Sequence, residues 1–203
     1  WLSTDSYTQG KNVSPDDAYR FARGEVVVGP RGIPMQRSRP LDFLVIADHA
    51  ENIGIFSELE AENGDLLKNK EGRQWYEKLQ AVLPKIKKYR VLHESSKDDF
   101  LEHATLALEP WGKQMVNDIG IRESIWKKIV DNADRHNDPG KFTAFSGYEW
   151  TSQEFFIHRV VLFKDDASKV TQALPFSQID SKNPEDSWEY LSNYSKKSGG
   201  DVI

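Results

Sequence analysis

The run Leu41-Asp42-Phe43-Leu44-Val45-Ile46-Ala47, which turns polar abruptly at Asp48-His49, constrains the fold more than any other segment. It is short, continuously apolar apart from Asp42, and β-branched at its centre. Such a run suits a strand buried on both faces, as in a parallel sheet. Ligands in parallel α/β folds collect at the carboxyl ends of strands, which is where Asp48, His49 and Glu51 fall.

Two more strands are predicted downstream. Phe142 to Tyr148 follows the turn signal Asn137-Asp138-Pro139-Gly140 and ends on Glu149-Trp150-Thr151. Ile157 to Phe163 opens with His158-Arg159. Between the first and second strands, residues 56–137 read as helical. Trp75, Leu79, Val82, Leu83 and Ile86 recur at helical spacing, as do Ile121, Ile125, Trp126, Ile129 and Val130, and both stripes read as core packing. Upstream, Ser14-Pro15-Asp16-Asp17 is a helix start, with a capping serine, a proline suited to the first turn and two acids at the positive end of the dipole. That helix stops at Gly24, and residues 25–40 read as loop with a short strand at Val26 to Val28. Ser181 to Tyr194 reads as a helix, Gly199-Gly200 as a break, and Asp201-Val202-Ile203 as the start of another strand. The order strand, helical region, strand, strand, helix, strand favours an α/β layered or barrel architecture.

The composition narrows the chemistry. The chain has 203 residues, enough for one sizeable core, and is read as one domain over 1–203. It has no cysteine, so any metal must be held by His, Asp and Glu. A net charge of -5, with basic clusters no longer than Lys85-Ile86-Lys87-Lys88, argues against nucleic acid as a partner. No apolar run approaches the roughly 20 residues of a membrane span.

The ends of the three predicted strands carry Asp48, His49 and Glu51, then Glu149, then His158. This mixture of imidazole and carboxylate suits a divalent metal, and two ions sharing a carboxylate could activate water and clamp a phosphoryl group. Each residue alone has an ordinary reading as a hydrogen-bonded histidine or a solvated acid; the signal is their coincidence at separate strand ends. His93, His103 and His136 lie in the helical region and read as surface or structural residues.

Four blocks then carry a resemblance: Ser14 to Glu25 (SPDDAYRFARGE), Arg39 to Glu51 (RPLDFLVIADHAE), Pro139 to Thr151 (PGKFTAFSGYEWT) and His158 to Phe163 (HRVVLF). In that order, over nearly the whole chain, they resemble a bacterial domain family of unknown function related to the PHP (polymerase and histidinol phosphatase) metallohydrolases. The resemblance implies part of a distorted (β/α)7 barrel with a long helical insertion at about 56–137. It also implies a cluster of up to three divalent ions (Zn, Mn or Fe). The metal ligands it implies are Asp5, His49, Glu149 and His158, with Asp48 orienting His49 and Glu51 partnering a ligand histidine. Arg159 would meet an anionic oxygen of the substrate. In such domains a His-x-His pair precedes the stretch matching Trp1 to Ser6, and further ligands follow the strand begun at Asp201, so the resemblance implies an incomplete domain. The implied activity is metal-dependent hydrolysis of a small molecule, phosphoesterase-like, in a periplasmic or secreted protein; the alternative is a non-catalytic PHP-like binding or scaffold domain.

Overall fold

A computed structural model describes residues 2–8, 13–29, 32–92, 97–152, 154–155 and 157–203, so Trp1 and His93 lie outside it. In chain order the elements are α1 (Thr4–Thr8), α2 (Pro15–Ala22), β1 (Val27–Val28), β2 (Pro34–Met35), β3 (Phe43–Val45), α3 (Ile55–Glu60) and α4 (Gly64–Lys68). Then come α5 (Lys70–Leu92), α6 (Lys97–Leu108), α7 (Ile119–His136), β4 (Thr143–Ser152), β5 (Ile157–Phe163), α8 (Ala167–Val170) and α9 (Pro184–Ser198).

The α2 start forms as its residues dictate. The Ser14 hydroxyl accepts from the Asp17 N–H at 3.1 Å, and the Asp17 carboxylate accepts from the Ser14 N–H at 3.4 Å, closing a capping box. His136, at the end of α7, places Nε2 2.8 Å from Asp16 Oδ1 and stacks on Tyr19, a structural role.

The expected barrel is not present. The described strands form two small sheets, β1-β2 and β3-β4-β5, within a mixed α/β arrangement dominated by helices. The first strand departs from expectation as well. β3 is three residues long, and Phe43 is 60% exposed, because β3 pairs with β4 along one edge and is the end strand of its sheet. The parallel pairing does form: Phe43 opposes Thr143, Leu44 opposes Ala144 and Val45 opposes Phe145. Gly147 lets the strands close, since a Cβ there would lie 2.6 Å from Val45 Cγ2 and 2.5 Å from the Val161 carbonyl. β4 continues past Tyr148 to Ser152, so Glu149 lies within a strand and not beyond its end. β5 spans the expected residues and runs antiparallel to β4. Val202 bridges Phe163, which extends the sheet by the short C-terminal segment.

Helix α7 joins three apolar clusters. Ile125 packs with the helical layer of Phe56, Leu59, Trp75, Leu79 and Ile86. Its neighbour Trp126, with Val130, packs under the sheet against Tyr148, Trp150 and Phe163. Ala133 meets Tyr19 and Phe142. The 3.6-residue period turns successive positions of one helix toward different layers, and Ile125, Trp126 and Val130 of α7 are buried as a result.

Two polar clusters lock the layers. Asn52, buried and at φ 53°, makes four hydrogen bonds to the 110–115 loop. Its Oδ1 accepts from the Met115 N–H (2.7 Å) and Gln114 Nε2 (3.0 Å), and its Nδ2 donates to the carbonyls of Lys113 (3.1 Å) and Pro110 (3.2 Å). Glu60 accepts from the Tyr7 hydroxyl and from Arg90 at 2.9 and 3.2 Å, and Arg90 also lies over the Tyr7 ring. Burial alone would raise the Glu60 pKa, but the hydrogen bonds from Tyr7 and Arg90 and the charges of Arg90 and Lys87 outweigh it and hold the carboxyl below its ordinary value of 4.5.

Substituting Asn52→Ala leaves buried partners unpaired at a left-handed backbone position, and we expect a loss of about 3 kcal/mol in urea unfolding. Asn52→Gly, which relieves the backbone but not the hydrogen bonds, should recover only a minor part. For Glu60, the depressed carboxyl contributes stability that is in place above its unfolded value and lost as pH falls through the folded one. Glu60→Gln should therefore cost about 3 kcal/mol at pH 7 and flatten the acid side of the stability profile; parallel pH profiles of variant and wild type would refute this.

Candidate metal centre

Strand β4 has two faces. Ala144, Ser146, Tyr148, Trp150 and Ser152 are all buried and include the aromatic floor against α7, whereas Thr143, Phe145, Gly147, Glu149 and Thr151 form the other face. The β3–β4 register continues beyond β3 as a parallel bridge between His49 and Glu149. There the Glu149 N–H donates to the Asp48 carbonyl at 2.8 Å, and the Ala50 N–H donates to the Glu149 carbonyl at 2.9 Å. On the opposite side, antiparallel pairing sets His158 across from Thr151. One strand thus gathers two histidines from either flank onto the face that carries Glu149 and Thr151.

The donors of His49, Glu149 and His158 all lie within 4.8 Å of one another. His158 Nδ1 is 2.8 Å from Glu149 Oε1, and His49 Nδ1 is 3.5 Å from Glu149 Oε2. Thr151 Oγ1 lies 2.9 Å from His49 Nδ1 and 3.1 Å from His158 Nδ1. The Trp111 ring stands edge-on to His49 at 5.0 Å, so the loop that Asn52 anchors also walls one side of the site. His158 is the open side, at 58% side-chain exposure.

Asp5 is brought to the same place. Its Oδ2 is 4.0 Å from His49 Nε2, and its Oδ1 is buried without a hydrogen-bond partner. Asp48 is responsible for the approach: its Oδ1 accepts from the Leu2 and Ser3 N–H groups at 3.1 and 2.9 Å, which pins the turn that opens α1. Its carboxylate holds the Asp5 segment.

Glu51 and Arg159 do not belong to the cluster of donor atoms. Glu51 is 1% exposed, accepts from the Gln178 N–H at 3.4 Å and leaves Oε2 without a partner. Burial pushes its pKa to about 7, reinforced by the charges of Glu149 and Asp180 and opposed by the backbone N–H groups of Glu51 and Gln178. Arg159 pairs with Trp150, so strand alternation sends its exposed side chain to the face opposite the histidines.

Thr151 and Trp111 were missed by reading the sequence. Thr151 had a usable signal, two residues beyond Glu149 on a strand and therefore on its face. Trp111 had none, because its place depends on a loop packed by Asn52.

A divalent cation fits this donor set. Two imidazoles and a carboxylate are ligands of a borderline or hard ion, and Asp5 beside His49 offers a second carboxylate. Among the described residues no Lys or Arg pairs with Glu149 or Asp5, so the negative charge has no built-in counter-ion. The orphaned Asp5 oxygen is the kind of atom a cation satisfies.

No helix among the described residues is long and apolar enough to cross a membrane. No curated protein and no solved structure matches the chain. The model of one family, described as a protein of unknown function (DUF3604), matches residues 1–203, and the chain belongs to that family.

Proposed function

We propose that the shared face of β4 and β5 is the metal centre of a metal-dependent hydrolase, phosphoesterase-like, acting on a small molecule. The observation that carries this reading is the convergence of His49, Glu149 and His158 from three segments within 4.8 Å of one another. A divalent ion there (Zn, Mn or Fe) would supply a Lewis acid and acidify water toward neutrality. His49, His158, Glu149 and Asp5 hold it; Asp48 fixes the Asp5 turn, and Trp111 screens His49 from solvent. Substrate reaches the site from the open His158 side. The sequence order of Asp48-His49, Glu149 and His158 supports kinship of the family with the PHP metallohydrolases. The proposal excludes nucleic acid, which a net charge of -5 disfavours, and membrane as partners. A chain without cysteine has no thiol to be oxidised outside the cytoplasm, and a periplasmic or secreted location belongs to the same proposal.

Metal binding is the first test. Calorimetric titration of the purified chain with Zn2+ should show a site that His49→Ala or Glu149→Gln weakens by about tenfold or more. Equal affinity in the variants would refute the ligand assignment. Turnover is the second. Hydrolysis of bis(p-nitrophenyl) phosphate in the presence of Mn2+ or Zn2+ should vanish in His49→Ala. Undiminished turnover by metal-saturated His49→Ala protein sinks the catalytic reading, and metal binding without turnover by the wild type favours the scaffold alternative.

A further inference from the structure

The sheet face that carries the donors is apolar along much of its remaining length. The register sets Phe43 and Val45 of β3, Phe145 of β4, and Val160 and Leu162 of β5 on the same side as His49, Glu149 and His158. Val45 Cγ2 fills the space that a side chain at Gly147 would take, and Phe43 meets Phe145 edge-on at 6.1 Å. The strip thus crosses all three strands. None of these side chains joins the three apolar clusters of the interior. Val160 and Phe43 are 55% and 60% exposed, and Val45, Phe145 and Leu162 are half-buried. The strip starts at the donors: Val160 pairs with Glu149, and Leu162 follows about 7 Å along the strand. Among the described residues of β3, β4 and β5, this face holds no lysine or arginine, because Arg159 lies on the other side.

We propose that the strip is the subsite for an apolar group of the substrate. The substrate class is then a phosphoester of an aryl or alkyl alcohol, not of a sugar or nucleotide bearing further charges. The assignment rests on the metal centre proposed above and names what that centre acts on. Small-molecule sites combine a largely apolar lining with a few polar groups that fix orientation. Here the donor cluster is the polar end, and Val160 and Leu162 begin the lining. A second anionic group on the substrate would lie over apolar side chains with no cation of the chain beside it, and its desolvation would go uncompensated. Exposed apolar strips of this kind mark sites of contact. Continuity with the donors makes the substrate, rather than a second copy of the chain, the occupant.

The test reads binding, so it does not depend on turnover. Zn2+-loaded chain is titrated by calorimetry with methylphosphonate and phenylphosphonate, which are not hydrolysed and carry similar charge at pH 8.5. Phenylphosphonate should bind about tenfold tighter, the gain from burying roughly 60 Å2 of apolar surface. 4-Carboxyphenylphosphonate, with a charge at the far end of the ring, should lose that gain. Val160→Ser, at an exposed position, should cut the preference about threefold, and Val160→Ser/Leu162→Ser should remove most of it. Zn2+ affinity should stay at the wild-type value in both, which also reports an intact fold. Equal affinities for the two phosphonates in Zn2+-loaded wild type overturn the subsite and leave the metal centre standing. An undiminished preference in Val160→Ser overturns it as well. A wild type that binds no Zn2+ overturns the metal centre and the subsite with it. Self-association that Val160→Ser abolishes, without any phosphonate preference, assigns the strip to contact between copies and overturns the substrate assignment.

Discussion

The alternation of β4 underlies both the packing and the site. Tyr148 and Trp150 must point into the apolar layer against α7, and a strand has a period of two, so Glu149 and Thr151 have to point out of it. A one-residue slip would bury the carboxylate and expose two aromatic rings. The energy that sets the register is therefore hydrophobic, and each large side chain fully buried on the inner face is worth about 1.5–3 kcal/mol. The placement of the donor-bearing residues follows from that packing, and the 2.8 Å contact between His158 and Glu149 forms within the register it sets.

Around this strand, polar contacts do what the apolar layer cannot. Backbone pairing brings His49 beside Glu149, and antiparallel pairing brings His158 across from Thr151. Asp5 and Trp111 come from a short helix and a loop that pack through Tyr7 and Met115, and a side chain adjoining β3 fastens each to the site: Asp48 for the Asp5 turn and Asn52 for the Trp111 loop. The segment Asp48 to Asn52 thus supplies a donor and the two fasteners that bring its neighbours to it. The donors gain no mutual hydrogen bond at Asp5 Oδ1, and this leaves a concentrated negative charge for a cation to neutralise.

Several of these features were legible in the chain. The α2 capping box, the span of β5 and the parallel pairing of β3 follow from local chemistry: a serine three residues before an acid, a β-branched run, an apolar segment without polar alternation. The depth of β3 was not legible. An apolar run reports what a strand tolerates on its faces, while burial depends on how many neighbours pair with it, and β3 has one. The barrel inferred from family resemblance fails for a related reason, since the described strands form only a two-stranded and a three-stranded sheet and closure is a property of the whole ring of strands. Arg159 shows the same limit at the scale of a side chain: adjacency to His158 in sequence places it on the opposite face.

By itself, the sequence determined the residue types available for chemistry, the positions of most elements and the nomination of His49, Glu149 and His158, because these depend on local propensity and on polar residues interrupting apolar runs. Only the tertiary structure decided that the three share one face, that Asp48 secures the Asp5 turn, that Glu51 is buried, and that Thr151 stands between the histidines. Those facts depend on register and on contacts between segments roughly 50 to 100 residues apart, which local patterns do not encode because pairing partners are chosen by packing.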